Sequence, residues 1–412
     1  MIQQGMPPEQ YAAEIMRTKP DFVVYRPAGE MVLGENQHFI VVITPRGRLL
    51  ATWTRATREN HPDQHVVVST SSDGRSWSEP LKLDGASPND APGTGLASWA
   101  FPVVARGTGR IYVFYNKNIG IHDTREDTTG VLRGRYTEDE GRTWSEPFDL
   151  PIEPCALSPS EPGIPQSWIV FQAPIITGDG VPIVGFTHWG SARRFGERDL
   201  FKLDSEVRFL RFENILTERD ASRLRVTTWP QTAHGLRMPR RGRPEVSVAQ
   251  EPSLVLLPDK RIFCVFRTLN GYAAFSQSRD HGRTWADPAP LRFADGSVVP
   301  QPIAPCPIYA TGSGRYVLIF HNNDGTANGG SGPSDYTRNR YPAFTSEGRF
   351  DRNAEQPVRL SRPVPLMTSD GVVLGPSSRT EVATYTSYTR FRGRGILWYP
   401  DRKHFLLGRY LP

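Results

Sequence analysis

The sequence predicts an all-β chain: a six-bladed β-propeller of four-stranded antiparallel blades, with a short N-terminal helix. Three observations carry that expectation. Proline and glycine, 37 of each in 412 residues, are spread along the whole chain, which favours many short strands and turns over long helices. Six hairpin-like stretches recur, each made of two apolar runs about a Gly-containing or Pro-Asp turn. A turn with Ser or Thr, Asp, Gly and Trp in fixed order also repeats along the chain. The length would allow two domains, yet radial repetition of one small sheet accommodates it in one. Residues 21–412 are therefore assigned to the propeller and 1–20 to a helical extension.

Taken in chain order, Pro7-Pro8 ahead of EQYAAEIMR reads as the start of a short helix packed on the outside. The six hairpins follow at 38–53 (HFIVVITPRGRLLATW), 99–116, 170–189, 251–267 (EPSLVLLPDKRIFCVFR), 304–322 and 382–399. Most lead into a more polar third strand, and three of these end in the repeated turn: SSDGRSWSEP from Ser71, TEDEGRTWSEP from Thr137 and SRDHGRTWADP from Ser278. The Asp side chain can accept backbone N–H bonds across the turn, Gly permits a left-handed residue, and Trp is expected to pack into the sheet beneath. A worn fourth copy, TSEGRFD from Thr345, has Glu347 and Phe350 in place of Asp and Trp. The spacing fits a unit of about 67 to 70 residues, with one copy missing in the middle of the chain.

Composition narrows the function classes. The net charge of +6, from 49 basic and 43 acidic residues, is not gathered in a run, so nucleic acid is not an expected partner; an acidic small ligand is. Cys155, Cys264 and Cys306 are odd in number and show no CxxC spacing, which implies neither a disulfide framework nor a zinc site. The His61-Pro62-Asp63-Gln64-His65 and His122-Asp123 clusters lack the helical spacing of a metal site, and no metal or cofactor is expected. The N-terminus shows no basic segment followed by an apolar one, and no apolar run approaches a membrane span, so a cytoplasmic location and no membrane partner are the expectation.

The fourth hairpin is bracketed by charge. Folding it about Asp259 sets Glu251 opposite Arg267, and two readings stand side by side: an ion pair closing a sheet edge, or a pair belonging to a site. The repeated turns bear on the choice. At this spacing, in a six-unit all-β chain, they resemble the Asp boxes (BNR repeats) of the sialidase, or neuraminidase, superfamily, over about residues 30 to 410. That resemblance implies a retaining mechanism with a tyrosine nucleophile assisted by a glutamate, an aspartate as acid/base, and three arginines around a substrate carboxylate. Carried over residue by residue, it implies Glu251 as base, Arg267 as a carboxylate clamp, Arg338 as the next arginine with Arg340 close behind, and Tyr385 as nucleophile in preference to Tyr388. The acid/base aspartate is matched by Asp63. Its loop, from Arg55 to His65, packs two Arg, two His and one Glu into eleven positions, which marks Arg55, Arg58 and His61 as substrate-binding candidates.

The match also departs from the family. The Arg-Ile-Pro segment that opens the family's first inner hairpin is absent, and Asn36-Gln37-His38-Phe39 stands there; the glutamate that would hold that arginine is absent too, since Pro400 follows Tyr399. Loss of both halves of one contact points to a replaced subsite, with His38 in the arginine's place. The resemblance therefore implies an exo-acting glycoside hydrolase for a terminal acidic sugar, sialic acid or a related ulosonic or uronic acid, with an acidic oligosaccharide as partner. A polysaccharide lyase acting on a uronic-acid glycan through His38, His61, His188 or His321 is the first alternative, and a non-catalytic glycan-binding propeller the second. Trp53, Trp99 and Trp189 could stack on sugar rings or pack between blades.

Overall fold

The computed structural model describes residues 7–28, 32–88 and 95–411. Six small antiparallel sheets form a ring. The first runs from the axis outward as Glu35–Ile43, Leu49–Ala56, His65–Ser71 and Leu81–Gly85; the second as Ala97–Ala105, Arg110–Lys117, Val131–Thr137 and Phe148–Leu150. In the third the inner strand is broken into Ser167–Ile169 and Ile175–Ile176, both paired to Pro182–Trp189, with Ser205–Phe212 and Val226–Trp229 outside. The fourth comprises Ala249–Leu256, Ile262–Thr268, Ala273–Ser278 and Ala289–Pro290, and the fifth Ile308–Gly312, Arg315–Phe320, Ala343–Phe350 and Val358–Leu360. The sixth takes Ser387–Phe391, Arg394–Asp401 and Phe405–Tyr410 from the end of the chain and its outer strand, Phe22–Tyr25, from the start. Helix Pro8–Met16 lies outside this closure and buries Glu14 and Ile15, with Arg402 reaching Glu14 at 2.6 Å. Among the described residues, no helix is long and apolar enough to cross a membrane.

Why the hairpins are apolar runs rather than alternating patterns follows from the ring. Each sheet is covered on both faces by its neighbours, so a second strand such as Arg110–Lys117 or Pro182–Trp189 is buried at every position. Six apolar clusters fill the six seams. Leu50 and Val68 meet Ile111 and Val113; Phe101 and Phe114 meet Phe186 and Phe212; Phe209 meets Leu254 and Phe266. Further round, Phe263 and Val265 meet Leu318 and Phe320, Val317 and Ile319 meet Leu397 and Tyr399, and Trp398 meets Phe39 and Trp53 to close the circle. Burial of each such side chain contributes roughly 1.5–3 kcal/mol.

The repeated turns sit between third and outer strands. Asp73 Oδ1 accepts from the backbone N–H groups of Arg75 and Ser76, both at 2.8 Å, Asp139 does the same for Arg142 and Thr143, and Asp280 for Thr284. Their tryptophans pack in clusters shared between their own sheet and the preceding blade. Trp77 stands edge-on to Trp398 of the sixth blade, and Trp285 stacks at 3.9 Å on Phe209 of the third, so each turn seals the seam with the preceding blade. The fourth, worn copy is not a turn: residues 345–350 lie within strand Ala343–Phe350, where Glu347 pairs with Val317 in the ladder, and the turn that follows is built on Asp351.

The feature that shapes the site is a bulge repeated in the inner strands. In the fourth blade, Ser253 faces Val265 as simple counting requires, but Gln250, not Glu251, faces Arg267, because two residues, Glu251 and Pro252, oppose one partner. Matching irregularities stand at His38 in the first blade and Trp99 in the second. At each the first bulge residue is left-handed, with φ of 54° to 57°, although none is glycine. A threonine from the preceding blade takes the amide that the bulge frees: Thr187 Oγ1 accepts from Glu251 N at 2.7 Å, and Thr54 Oγ1 from Trp99 N at 3.2 Å.

Candidate functional site

In the second and fourth blades the first bulge residue, Trp99 or Glu251, points toward the end of the axis where inner strands begin. There a cavity of about 340 Å³ opens, lined by Glu251 and Arg267 of the fourth blade, Tyr385 of the sixth and Trp99 of the second. Trp189 and the 198–201 loop of the third blade form one wall; Tyr336 and Arg340, from the loop after the fifth blade's second strand, form another. Glu59, Arg125, Arg379 and Lys403, all from loops or turns, complete it. Its volume is that of a small-molecule site.

Tyr385, itself left-handed at φ 58°, donates its hydroxyl to Glu251 Oε1 at 2.9 Å, while Arg267 Nη1 holds Glu251 Oε2 at 2.7 Å. Arg267 is anchored from behind by Gln250 Oε1, at 2.8 and 3.2 Å. Burial pushes the Glu251 carboxyl above its ordinary value despite Arg267 and Arg340, which makes it a better proton acceptor than a surface glutamate. The same burial, with Glu251 beside it, raises the Tyr385 phenol well above 10, so the phenol is neutral and hydrogen-bonded to a base.

A second cluster faces this pair. Glu59 takes Lys403 at 2.7 Å, Arg125 at 3.0 Å and Arg379 at 3.2 Å; Glu381 takes Arg340 at 2.8 Å and Lys403 at 3.4 Å. Burial alone would raise both carboxyls, but the cations outweigh it. Lys403, Arg125 and Arg379 hold Glu59 well below the usual range, and Lys403, Arg340 and Arg379 bring Glu381 to about 2. Both are anionic carboxylates.

The remaining sequence candidates are distributed as follows. Arg338 is exposed, donates to Gly329 O and does not line the cavity, whereas Arg340 does. Asp63 folds back on its own loop, accepting from Thr57 N and Oγ1 at 3.1 and 2.6 Å and pairing with His61, so neither Asp63 nor His61 lines the cavity. The loop's glutamate, Glu59, does. Arg55 lies over the Tyr25 ring and Arg58 is exposed, both outside the lining. His38 is fully buried, bonded to Thr54 and stacked beneath Trp99, which separates it from the cavity. His321 is buried against Val382 O, and Tyr388 stacks on Tyr309 away from the site. Of the three tryptophans, Trp99 and Trp189 line the cavity, and Trp53 is spent on packing and on Asn36. Sequence reasoning missed Glu59, Arg125, Arg379 and Lys403. The only signal for Lys403 is the polar turn Asp401-Arg402-Lys403-His404 inside an apolar strand pair.

Residues 47–340 match the family model described as BNR repeat-like domain. No curated protein matches the chain. Among solved structures, a Hadza microbial sialidase is similar at 15% identity, with 94% of this chain and 68% of that one covered and a TM-score of 0.61. The intramolecular trans-sialidase from Ruminococcus gnavus is similar at 14% identity, covering 94% and 96%, with a TM-score of 0.59. A protein of unknown function from Dyadobacter fermentans reaches 0.62 at 14% identity over 95% and 97%. At these identities the likeness is one of fold.

Proposed function

Since the chain belongs to the BNR repeat-like domain family, and its fold is shared by sialidases, we propose that it is a sialidase-like, retaining exo-glycosidase that removes a terminal acidic sugar. The observation that carries this reading is the Tyr385–Glu251–Arg267 chain at the floor of a cation-lined cavity. In the first half-reaction Tyr385 Oη bonds to the anomeric carbon, the glycosidic C–O bond breaks, and the phenolic proton passes to Glu251. Arg267 and Arg340 grip the sugar carboxylate, with Lys403 and Arg379 supplying the charge of the family's missing first arginine.

Glu59 takes the role first matched to Asp63. As an anion it suits activation of water in the second half-reaction, when the tyrosyl–sugar bond is hydrolysed. In the first it must carry a proton to the leaving oxygen, and its depressed proton affinity makes that step demanding. Turnover of alkyl glycosides should therefore fall as pH rises, because protonated Glu59 becomes scarcer, while aryl glycosides, which need no such proton, should show a flatter profile.

The test is a panel of acidic-sugar glycosides, with released sugar and ultraviolet absorbance followed together. Sugar release without absorbance, reduced at least about 100-fold in Tyr385→Phe, is the expected result. Appearance of an unsaturated product would replace the hydrolase with a lyase. Saturable binding without turnover, unchanged in Tyr385→Phe, would make the protein a glycan-binding propeller.

A further inference from the structure

On the face of the third blade opposite Trp189, His188 and Glu206 stand directly paired in the ladder, so their side chains emerge side by side. The linker from the second blade brings Cys155 against them. Its Sγ lies 3.1 Å from His188 Nδ1 and 3.4 Å from Glu206 Oε1, and the three ligand atoms all fall within 4.8 Å of one another. The linker is pinned there: Cys155 N donates to Ser158 Oγ, Ala156 N to Ala233 O, and Leu157 N to the sulfur itself at 3.4 Å. Outside, the half-exposed His234 places Nδ1 3.1 Å from the other Glu206 oxygen.

We propose that Cys155, His188 and Glu206 form a binding site for a zinc-class divalent cation, with His234 on its solvent side. The donor set argues for it. A sulfur, an imidazole nitrogen and a carboxylate oxygen, carried by the linker and by two neighbouring strands, converge on one buried point. Tetrahedral coordination, with metal bonds of about 2.3 Å to sulfur and about 2.0 Å to nitrogen or oxygen, needs S···N and S···O edges of about 3.5 Å, so the S···O edge fits as it stands and the S···N edge has to open by about 0.4 Å. One sulfur, one nitrogen and one oxygen also select a borderline cation over calcium or magnesium. Arg208 does not block the site. Its guanidinium is fixed by Pro230 O and Thr232 O and orients Glu206 Oε1, while Arg237 is neutralised by both oxygens of Asp204. Binding releases the Cys155 thiol proton to solvent. The consequence is a staple between the 151–166 linker and the strand whose next residue, Trp189, walls the cavity.

The protein, dialysed against a chelator, is titrated with cobalt(II) alone and then with zinc. One equivalent of cobalt should bring up a near-ultraviolet thiolate-to-cobalt charge-transfer band that zinc displaces. Cys155→Ser should abolish the band and weaken binding more than about 100-fold, and His234→Ala, a change at a half-exposed position that leaves the core intact, should keep the band and weaken binding about tenfold. Absence of a band in the unaltered protein overturns the proposal. So does a band that survives in Cys155→Ser. Rapid iodoacetamide alkylation of Cys155 undiminished by zinc would instead mark a thiol–imidazole nucleophile.

Discussion

Lys403 holds two carboxylates that would otherwise repel. Only 2% of its side chain is exposed, and it lies between Glu59 and Glu381, so Lys403→Met leaves Glu59 with Arg125 and Arg379, and Glu381 with Arg340, one buried counter-charge short, and should destabilise the fold by about 3 kcal/mol at neutral pH. The pH dependence has a definite sign. Glu381 sits at about 2 in the folded protein against an ordinary 4.5, and Glu59 is displaced in the same direction. A carboxyl depressed by folding contributes stability that is complete above its unfolded value and is lost as pH falls through the folded one. Without Lys403 both carboxyls take up protons more readily, and protonation relieves the repulsion. The stability gap between the two proteins, measured by urea unfolding, should thus narrow as pH falls from neutral into the ordinary carboxyl range. A gap independent of pH would mean that Lys403 acts through packing of its stem rather than its charge.

The turns with Asp, Gly and Trp act between blades, and glycine reports this. Gly282 has φ +89°, and a Cβ there would lie 2.3 Å from Ile183 Cδ1 in the preceding blade; Gly47 has φ +81° with nothing within 4 Å. Replacement by alanine strains the backbone at both, but only Gly282→Ala also overpacks a seam, so it should be the more destabilising by about 1–3 kcal/mol in thermal or urea unfolding. Equal costs would deny the turn a role across the seam. The same two-sided burial explains what could be read from the chain. Strands covered on both faces become unbroken apolar runs, so the six hairpins are visible by inspection, and strand-borne Glu251 and Arg267, with Tyr385 just before the sixth blade's inner strand, can be located by counting along them. Counting fails by one residue at the bulge, whose left-handed first residue carries no glycine to announce it. It fails altogether in the loops. Nothing local distinguishes Arg340 from Arg338 or Glu59 from Asp63, because each is chosen by which backbone groups the folded loop leaves unmet: Asp63 is consumed by Thr57, and Arg338 by Gly329.

At the scale of the whole ring, closure and the site are the same problem. The sixth blade takes its outer strand from the other end of the chain, with Phe22 pairing Gly408 and packing on Trp398, and the seam it completes joins the sixth blade to the first. Directly above that seam, Lys403 and Arg379 of the sixth blade meet Glu59 of the first. A chain lacking the residues up to Tyr25 loses that outer strand, leaving Phe405–Tyr410 an exposed edge and removing helix Pro8–Met16 with its Glu14–Arg402 pair. The fifth–sixth seam also loses Ile15 and Tyr11 from its cluster, while the other four seams keep their own strands and clusters. Loss should therefore be local first: the truncated protein should retain most of its β-sheet circular dichroism yet bind acidic-sugar ligands at least about tenfold more weakly, and it should self-associate through the bared edge. Measured together by circular dichroism, titration calorimetry and light scattering, full binding by a monomeric truncated chain would show that the first and sixth blades hold their register without the closing strand. Complete unfolding would show instead that the ring is a single cooperative unit in which no seam can open alone.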